Sequence, residues 1–481
     1  MVIGFLYAML ATAIITYESS RRKRMLYDQL SVVNIFFLAY LVLPAAILHV
    51  VLDTGLVQAD RVADFSLLGY LHHRAEPFQK AMLFLGSVLA YSGLVMGYKL
   101  CAPRLDFTAQ TRKGVTSKLC MAWILIGLVF FALMFAFGNT LVPGDPVGGL
   151  LLSTYYRAED PFYAFERTPL NANLYAATST FLFFSVVGYA LSDERRRSRF
   201  LYLALTVTFL VVDTLASGAR RNLLIAALFI YVYVAVRKGK YKIHYLLLIF
   251  VISVPLLVFG KAILRNLTDL EVANIGFSDV TIAEQFVGAT GDIGQSYLES
   301  IGTLALYDGG PRFGMDHVFS VLRMIPLGMM GIEKPWPERI VRVSTAYQSG
   351  DPWMQDIPPG YLGQCWIDFP VIGFFLIPLL HGICVGLVER SFRRIGLRSS
   401  PFYLMAYLVA GFLATMPLNT GTLDYVFSPD IVLTVLLFLL LHFLNTGRLT
   451  LREIHQNRQT VRRSAASIPG IRGQLADRVS G

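Results

Sequence analysis

The sequence predicts an all-α polytopic membrane protein with about eleven transmembrane helices and one large loop on the outer face. Of its 481 residues, 55% are hydrophobic and only 15% are charged, whereas soluble globular chains carry about 25% charged residues. Long apolar runs recur along the chain, and the short segments between them are rich in Lys and Arg. This composition excludes a soluble enzyme, which would lack the polar surface to cover itself, and equally a disordered or disulfide-stapled chain.

Eleven apolar segments are long enough to be spans, because about 20 mostly apolar residues cross a hydrocarbon core of ~30 Å. They are 2–17, 31–52, 81–100, 119–138, 173–191, 200–217, 222–236, 245–262, 367–388, 401–416 and 430–446. The first is followed, not preceded, by the basic run Arg21-Arg22-Lys23-Arg24. We therefore expect an anchor with its N-terminus outside, because a cleaved signal peptide has its basic residues before the apolar run.

The distribution of positive charge predicts the orientation. One set of alternate loops, together with the segment 447–481, holds 27 Lys and Arg residues, and the other set holds 13. Because Lys and Arg collect in cytoplasmic loops, the first set is expected to face the cytoplasm, and the net charge of +10 does not require a nucleic-acid partner. The four cysteines form no C-x-x-C pair, so neither a disulfide framework nor a zinc site is expected.

The span pattern divides the chain into four regions. These are an eight-helix membrane region (1–262), a large outer loop (263–366), a three-helix membrane region (367–446) and a mobile basic cytoplasmic tail (447–481). The loop is too polar and too rich in Gly and Pro to cross the bilayer, yet it carries apolar residues at helical spacing. We expect it to fold as short helices on the outer ends of the spans, and we expect any chemistry on that face.

Basic residues at the outer boundary are the first candidate site residues. Arg220 and Arg221 lie in a tight hairpin between two spans, and Lys261 and Arg265 lie one helical turn apart at the end of another. An anion between Lys261 and Arg265 would remove the repulsion between these like charges. The alternative is that all four side chains are boundary anchors that reach toward lipid headgroups.

The large loop supplies a candidate base. His317 follows Asp316 at the start of a predicted helix that ends near Ile325, with Arg312 before it and Arg323 toward its end. A histidine beside a carboxylate can act as a base, because imidazole titrates near neutral pH. The alternative is that His317 is a bystander in a surface loop.

Two aromatic segments are candidates for binding glycan. Tyr347 lies in a polar, turn-rich stretch from Thr345 to Asp351 that either binds sugar hydroxyls or is a surface loop. Arg157 follows Tyr155 and Tyr156 in an earlier outer loop, a mixture that suits carbohydrate but also the membrane interface.

Familiar catalytic motifs do not occur in the sequence. It contains no phosphate loop, no dinucleotide-binding glycine motif, no serine-hydrolase elbow, no zinc-protease motif and no Asp-x-Asp that would hold a nucleotide sugar through a metal ion. Several Arg and Lys residues at an outer membrane surface suit a diphosphate that is held by charge alone. Guanidinium groups would stabilise the charge that develops on a departing diphosphate, with no metal and no cofactor.

Three short stretches carry a resemblance to a known family. They are Ser217-Gly218-Ala219-Arg220-Arg221-Asn222 before a span, Met324-Ile325-Pro326 with Lys334-Pro335-Trp336-Pro337, and Pro359-Gly360-Tyr361-Leu362-Gly363-Gln364 followed by Gly373 and Gly382. With the topology, they resemble the Wzy-type polysaccharide polymerases of the O-antigen and enterobacterial-common-antigen kind. The chain departs from that pattern at Gln364, where many relatives carry Glu, and at Asp368-Phe369-Pro370, where many carry Phe-Gly.

The resemblance implies a GT-C-like glycosyltransferase in the bacterial inner (cytoplasmic) membrane, with its active site facing the periplasm. The implied reaction transfers a growing glycan from undecaprenyl diphosphate to the non-reducing end of a new repeat unit. The implied partners are lipid-linked oligosaccharides, membrane lipids and a Wzz-like co-polymerase that regulates chain length. Arg220 and Arg265 match basic residues of the family by position. The candidate catalytic residues are thus Arg220, Arg265 and His317, and the candidate substrate-binding residues are Arg220, Arg221, Lys261, Arg265, Arg312, Arg323, Tyr347 and Arg157.

Other functions remain open from the sequence. An O-antigen ligase would use the same donor, membrane side and arginine residues with a different acceptor. A flippase or transporter would make no bond and would be expected to carry charges near the bilayer midplane, where the spans hold few, chiefly Asp213 and His381. A membrane scaffold would leave the outer arginines without a task.

Overall fold

The described part of the chain is entirely helical. The computed structural model describes residues 2–21, 28–54, 74–102, 293–323, 337–350, 357–395 and 401–423, together with a few isolated positions. Six predicted spans fall outside these ranges: 119–138, 173–191, 200–217, 222–236, 245–262 and 430–446. The number of spans and the GT-C-like fold therefore stay predictions.

Ten α-helices make up the described part. In chain order they are α1 (Val2–Ser20), α2 (Gln29–Phe37), α3 (Leu43–Asp53), α4 (Pro77–Cys101), α5 (Gln295–Leu306), α6 (Met315–Leu322), α7 (Ile340–Ser349), α8 (Tyr361–Asp368), α9 (Gly373–Ile395) and α10 (Pro401–Thr420). A π-helical turn, Leu38–Val42, joins α2 to α3. α5, α6 and α7 are short helices within the predicted large loop, α8 begins in that loop and ends two residues beyond it, and α10 covers the predicted span 401–416.

Four of the described helical stretches are long and apolar enough to cross a membrane. They are Val2–Ser20, Gln29–Leu52, Pro77–Cys101 and Gly373–Arg393. Local signals in the sequence explain where two of them begin. The Asp28 side chain accepts a hydrogen bond from the Ser31 amide at the start of α2. At the start of α4 the Glu76 amide donates to the Gln79 side chain at 2.7 Å, and Pro77 occupies the first turn. The prediction of a helical membrane protein is confirmed at this level.

The predicted start of the span 367–388 is wrong. The apolar run is divided into the end of α8 at Asp368 and the start of α9 at Gly373. Pro370 explains the break, because the residue before a proline is driven out of the helical region, and Phe369 is indeed extended. Asp368 consequently lies at the end of a short helix and not inside a span.

Glycines bring α4 and α9 into direct backbone contact. Gly93 and Gly97 on α4, like Gly382 and Gly386 on α9, are spaced four residues apart. A Cβ at Gly97 would overlap the carbonyl oxygen of Leu379, and a Cβ at Gly382 would overlap that of Leu94. Small residues at this spacing let two helices pack closely where lipid offers no hydrophobic driving force between them.

The short helices are tied to the spans through α5. The Tyr297 hydroxyl lies 2.8 Å from Nε2 of His49 on α3, and its ring packs edge-on against Tyr7 of α1. α5 in turn holds the start of α8, because the amides of Tyr361 and Leu362 donate to the hydroxyls of Ser296 and Ser300, both at 3.1 Å. These bonds satisfy two of the amides that an α-helix leaves unpaired at its N-terminus.

We predict that Gly97→Ala destabilises the protein by about 1–3 kcal/mol, the usual cost of overpacking. Alanine favours helix over glycine by about 1 kcal/mol, so destabilisation here would isolate the backbone contact between α4 and α9. The midpoint of thermal unfolding in detergent measures the effect.

Gly310→Ala is the control for this substitution, because a Cβ at Gly310 meets nothing within 4 Å. The midpoint of this variant is expected to stay close to that of the parent. If Gly97→Ala unfolds at the same temperature as Gly310→Ala, the proposed backbone contact does not hold the two helices together.

Candidate functional site

A buried carboxylate at the end of α8 is the centre of the candidate site. Asp368 is fully buried. Its Oδ1 accepts a hydrogen bond from the Gly314 amide at 3.0 Å, and its Oδ2 accepts one from Nε2 of Gln364 at 2.9 Å. Nε2 of His317 lies 3.2 Å from the same Oδ2. The carboxylate therefore holds together α8 and the segment that leads into α6.

The backbone makes the same connection. The amides of Arg312 and Phe313 donate to the carbonyl oxygens of Ile367 and Asp368, at 3.0 and 3.1 Å. Carbonyls at the end of a helix have no partner within it, so the incoming segment satisfies the last turn of α8. The chain then turns through Phe313 and Gly314, both with positive φ, and α6 begins at Met315. This turn is what places His317 beside Asp368.

His317 is oriented by Asp368. The distance between Nε2 and Oδ2 is that of an ion pair, although the geometry is not that of a hydrogen bond. Both ring nitrogens are shielded from solvent while a quarter of the side chain is exposed, and Nδ1 has no hydrogen-bond partner among the described residues. A carboxylate behind an imidazole fixes the ring and stabilises its protonated form. His317 and Asp368 thus form an imidazole–carboxylate pair, and Nδ1 is the ring nitrogen that does not face Asp368.

Asp316, the carboxylate expected beside His317, has a different partner. It is buried and binds Arg312 through two hydrogen bonds, from Nε at 2.6 Å and from Nη2 at 2.7 Å. Arg312 also donates to the carbonyl of Glu338 at 3.3 Å. The hydrogen bond with Asp316 raises the pKa of Arg312, so the guanidinium stays charged and its charge is paired within the protein.

The other two described candidates lie around this cluster. Nη2 of Arg323, which follows the last residue of α6, donates to the carbonyl of Pro337 at 2.9 Å. The Tyr347 ring is exposed and packs edge-on against Tyr307, with the ring centres 5.0 Å apart. A hydrogen bond with Asp308 raises the pKa of Tyr347.

The expectation of a turn-rich stretch around Tyr347 is wrong. Tyr347 lies on α7, which extends to Ser349 and ends where Gly350 adopts a left-handed conformation. Thr345 and Gln348 are buried on the inner face of this helix. Gln348 donates to the hydroxyl of Thr303 on α5 at 3.2 Å. Thr345 and Gln348 thus serve to pack α7 against its neighbours, and Tyr347 is the exposed aromatic side chain of the stretch.

Five of the candidate residues lie outside the described residues: Arg157, Arg220, Arg221, Lys261 and Arg265. Their convergence on one site stays a prediction.

Three buried polar residues were not predicted from the sequence: Asp368, Gln364 and Glu299. Glu299 on α5 is fully buried, and neither carboxyl oxygen has a hydrogen bond of standard geometry among the described residues. Burial raises the pKa of this carboxyl well above its usual range, and Gln295, one turn earlier, lowers it by less. Glu299 is consequently protonated at pH values where an exposed glutamate is ionised.

No metal site is found in the part of the chain that the structure describes, because nowhere there do three His, Cys, Asp or Glu side chains come together. Comparison with protein-family models, with curated proteins and with solved structures finds no match for this chain.

We predict that Glu299→Gln abolishes a loss of stability that the parent shows as the pH rises. Since the folded state holds the proton and the unfolded state releases it above about pH 4.5, the stability from this group is fully present below that value. It decreases as the pH rises toward the higher pKa of the folded protein, by up to about 1.4 kcal/mol per pH unit.

Thermal unfolding of both proteins between pH 5 and pH 9 checks this expectation. Glutamine has nearly the same shape and carries no charge, so the two unfolding curves should agree at pH 5 and separate at pH 9, with the variant more stable. Parallel curves across the whole range would contradict the assignment of a protonated buried carboxyl.

Proposed function

We propose that the protein is a metal-independent glycosyltransferase that polymerises lipid-linked oligosaccharide repeat units. In this proposal it transfers a growing glycan from undecaprenyl diphosphate to the non-reducing end of a new repeat unit, on the periplasmic side of the bacterial inner membrane. The observation that carries the proposal is the pairing of His317 with the buried carboxylate of Asp368. A general base is what a sugar hydroxyl needs in order to attack an anomeric carbon.

In the proposed reaction, His317 removes the proton from the acceptor hydroxyl. The acceptor oxygen then forms a bond to the anomeric carbon of the donor, and the bond from that carbon to the diphosphate breaks. The proton stays on the imidazole, where the negative charge of Asp368 stabilises it. For this step the acceptor oxygen must lie ~2.6–3.2 Å from Nδ1, or one water away, because Nε2 already faces Asp368.

The diphosphate that leaves gains negative charge, and in the proposal Arg220 and Arg265 stabilise it. Guanidinium groups suit this role because they stay charged and match phosphate oxygens with two parallel donors. Arg312 is less suited to it, since two of its nitrogen atoms already bind Asp316. We therefore assign Arg312 a supporting role, in which it fixes the start of α6.

The exposed aromatic side chain of Tyr347 supports the choice of a glycan substrate. Its ring and that of Tyr307 form an edge-to-face pair near the Arg312 segment, since the Tyr307 hydroxyl donates to the carbonyl of Gly310 at 2.9 Å. Aromatic rings offer a large apolar face with a polar tip. In the proposal this pair receives the sugar of the incoming repeat unit.

The first test supplies the purified protein with one lipid-linked repeat unit and separates the products by length. We expect a ladder of lengthening lipid-linked glycans. Products formed only on a lipid A core would identify a ligase, and movement of substrate without a new bond would identify a transporter. Either result would overturn the proposal.

We predict that Arg220→Ala and Arg265→Ala each lower the polymerisation rate about 10- to 100-fold, the effect of losing a charge-assisted contact of about 1.5–3 kcal/mol. Arg342→Ala is the control, because Arg342 is a surface residue of α7 that pairs with Glu338 one turn away. All three variants should be produced in the membrane at parental levels. Parental rates in both Arg220→Ala and Arg265→Ala would remove these residues from the site.

We predict that Asp368→Asn lowers the rate about 100-fold or more, toward the contribution of a general base. Asparagine keeps an oxygen for the Gly314 amide but removes the negative charge behind the imidazole. The loss should fall on kcat and leave KM unchanged, because the base acts on the reacting hydroxyl and not on substrate binding.

Asp308→Asn is the control for this substitution, since Asp308 is exposed and interacts with Tyr347. It should leave kcat unchanged. A parental kcat in Asp368→Asn, or a loss confined to KM, would mean that Asp368 does not position the base.

A further inference from the structure

The amphipathic pattern of α6 is reversed with respect to that of a helix on a soluble protein. Its polar residues Asp316 and Ser320 are buried, and the Ser320 hydroxyl donates to the Asp316 carbonyl at 2.7 Å. Its apolar residues Met315, Val318 and Val321 are about half exposed. Soluble proteins bury the apolar side of such a helix, so an apolar side that faces outward indicates a partner that is itself apolar.

The exposed apolar surface continues onto the turn before α9. Val371 and Ile372 are exposed there, and Phe313, exposed at the start of α6, packs against Phe369 of that turn with ring centres 5.8 Å apart. Val371 has a positive φ of 64°, which is unusual for a β-branched residue. Val371 therefore combines a strained backbone with an exposed apolar side chain on this surface.

The position of the turn identifies what lies opposite this surface. Ile372 directly precedes α9, which is long and apolar enough to cross a membrane from Gly373 onward. The turn is therefore at the membrane boundary, and the Phe313–Phe369 contact brings the start of α6 to the same level.

The distribution of exposed apolar side chains supports this placement. Within the described ranges, large apolar side chains that are exposed lie on the four candidate spans, on this surface, and at Tyr347. On a span, exposed apolar side chains are expected to face lipid, and the exposed fractions of 55% at Met9 and 51% at Ile15 are close to the 53% at Val318. The outer side of α6 thus has the character of a lipid-facing helix side although α6 is too short to span a membrane.

We propose that an apolar strip formed by Phe313, Met315, Val318, Val321, Val371 and Ile372 inserts among the phospholipid acyl chains of the leaflet that borders the start of α9. α6 then lies along the membrane surface. Arg312 and Arg323, which flank it in sequence, lie at the depth of the phosphate headgroups, as expected for arginine at a membrane interface. The inference depends on exposure and position alone, and it holds whether or not the protein is a glycosyltransferase.

The strip has a consequence for the candidate base. His317 lies on α6 between the buried polar side and the apolar strip, one turn before Val321. Its imidazole is therefore at the edge of the bilayer, at the level where a diphosphate lies when its lipid chain is in the membrane. A lipid-carried substrate would reach His317 laterally, without leaving the bilayer.

The test measures the depth of a nitroxide label at Val318→Cys and at Val321→Cys, with the full-length protein in phospholipid vesicles. Cys101, Cys120 and Cys384 are replaced by serine, and Cys365 stays because it is buried and does not react with the label. Collision rates with oxygen, which concentrates in the acyl region, are compared with those of a water-soluble nickel chelate. Arg342→Cys on the polar surface of α7 is the matched control position.

At both strip positions we expect oxygen to collide with the label at least several times more effectively than the chelate, and the reverse order at position 342. Labels at 318 and 321 that meet the chelate as often as the control does would show that the strip faces water. Labels that are protected from both reagents would show that protein covers it. Each of these two results would overturn the proposal, and neither would bear on whether the protein makes glycosidic bonds.

Discussion

Asp368 is buried, so its carboxylate has to receive its hydrogen bonds from the protein and not from water. The surrounding elements must therefore place donors against it. An unpaired charge in such a place costs several kcal/mol, which a protein of ordinary stability cannot spare. The hydrogen bonds to Asp368 come from two elements: Gln364 on its own helix and the Gly314 amide at the entry to α6. His317 follows Gly314 by three residues, so the bond that the carboxylate receives from Gly314 also brings His317 to its side.

The helix that carries Asp368 is fixed at both ends. The first amides of α8 donate hydrogen bonds to serine hydroxyls of α5. The last carbonyl oxygens of α8 accept hydrogen bonds from the amides of Arg312 and Phe313. Gly360, with a positive φ of 70°, lets the chain enter α8 against α5, where a Cβ would overlap the Ser296 carbonyl. A side chain on a short helix is held precisely only when the supports of the helix are rigid, and those of α8 extend through α5 to the candidate spans.

The sequence predicted those properties that depend on composition and local order. Apolar runs predicted the described spans. His317 was predicted as a candidate because it lies beside a carboxylate at the start of a predicted helix. Its partner could not be found in this way, because Asp368 is distant in the chain and lies in the apolar stretch Cys365-Trp366-Ile367-Asp368-Phe369. Asp316 was the carboxylate next to His317 in the sequence, but in the folded protein it accepts hydrogen bonds from Arg312.

Two other differences have local causes that could have been recognised. Pro370 ends α8 and delays the next span until Gly373, as a proline after an extended residue does. Gly350 is a helix-ending glycine after a segment without Gly or Pro, which is the pattern of a helix end and not of a loop. The outward apolar side of α6 is different in kind, since periodicity gives a helix an apolar side but does not say whether protein or lipid covers it.

The pairing of His317 with Asp368 is tested most directly by a double-mutant cycle on the free energy of unfolding, with His317→Gln, Asp368→Asn and the double variant. The account predicts that the two substitutions are not additive, with a coupling energy of about 0.5–3 kcal/mol. Additive effects would contradict it, because the two side chains would then lie close together without interacting.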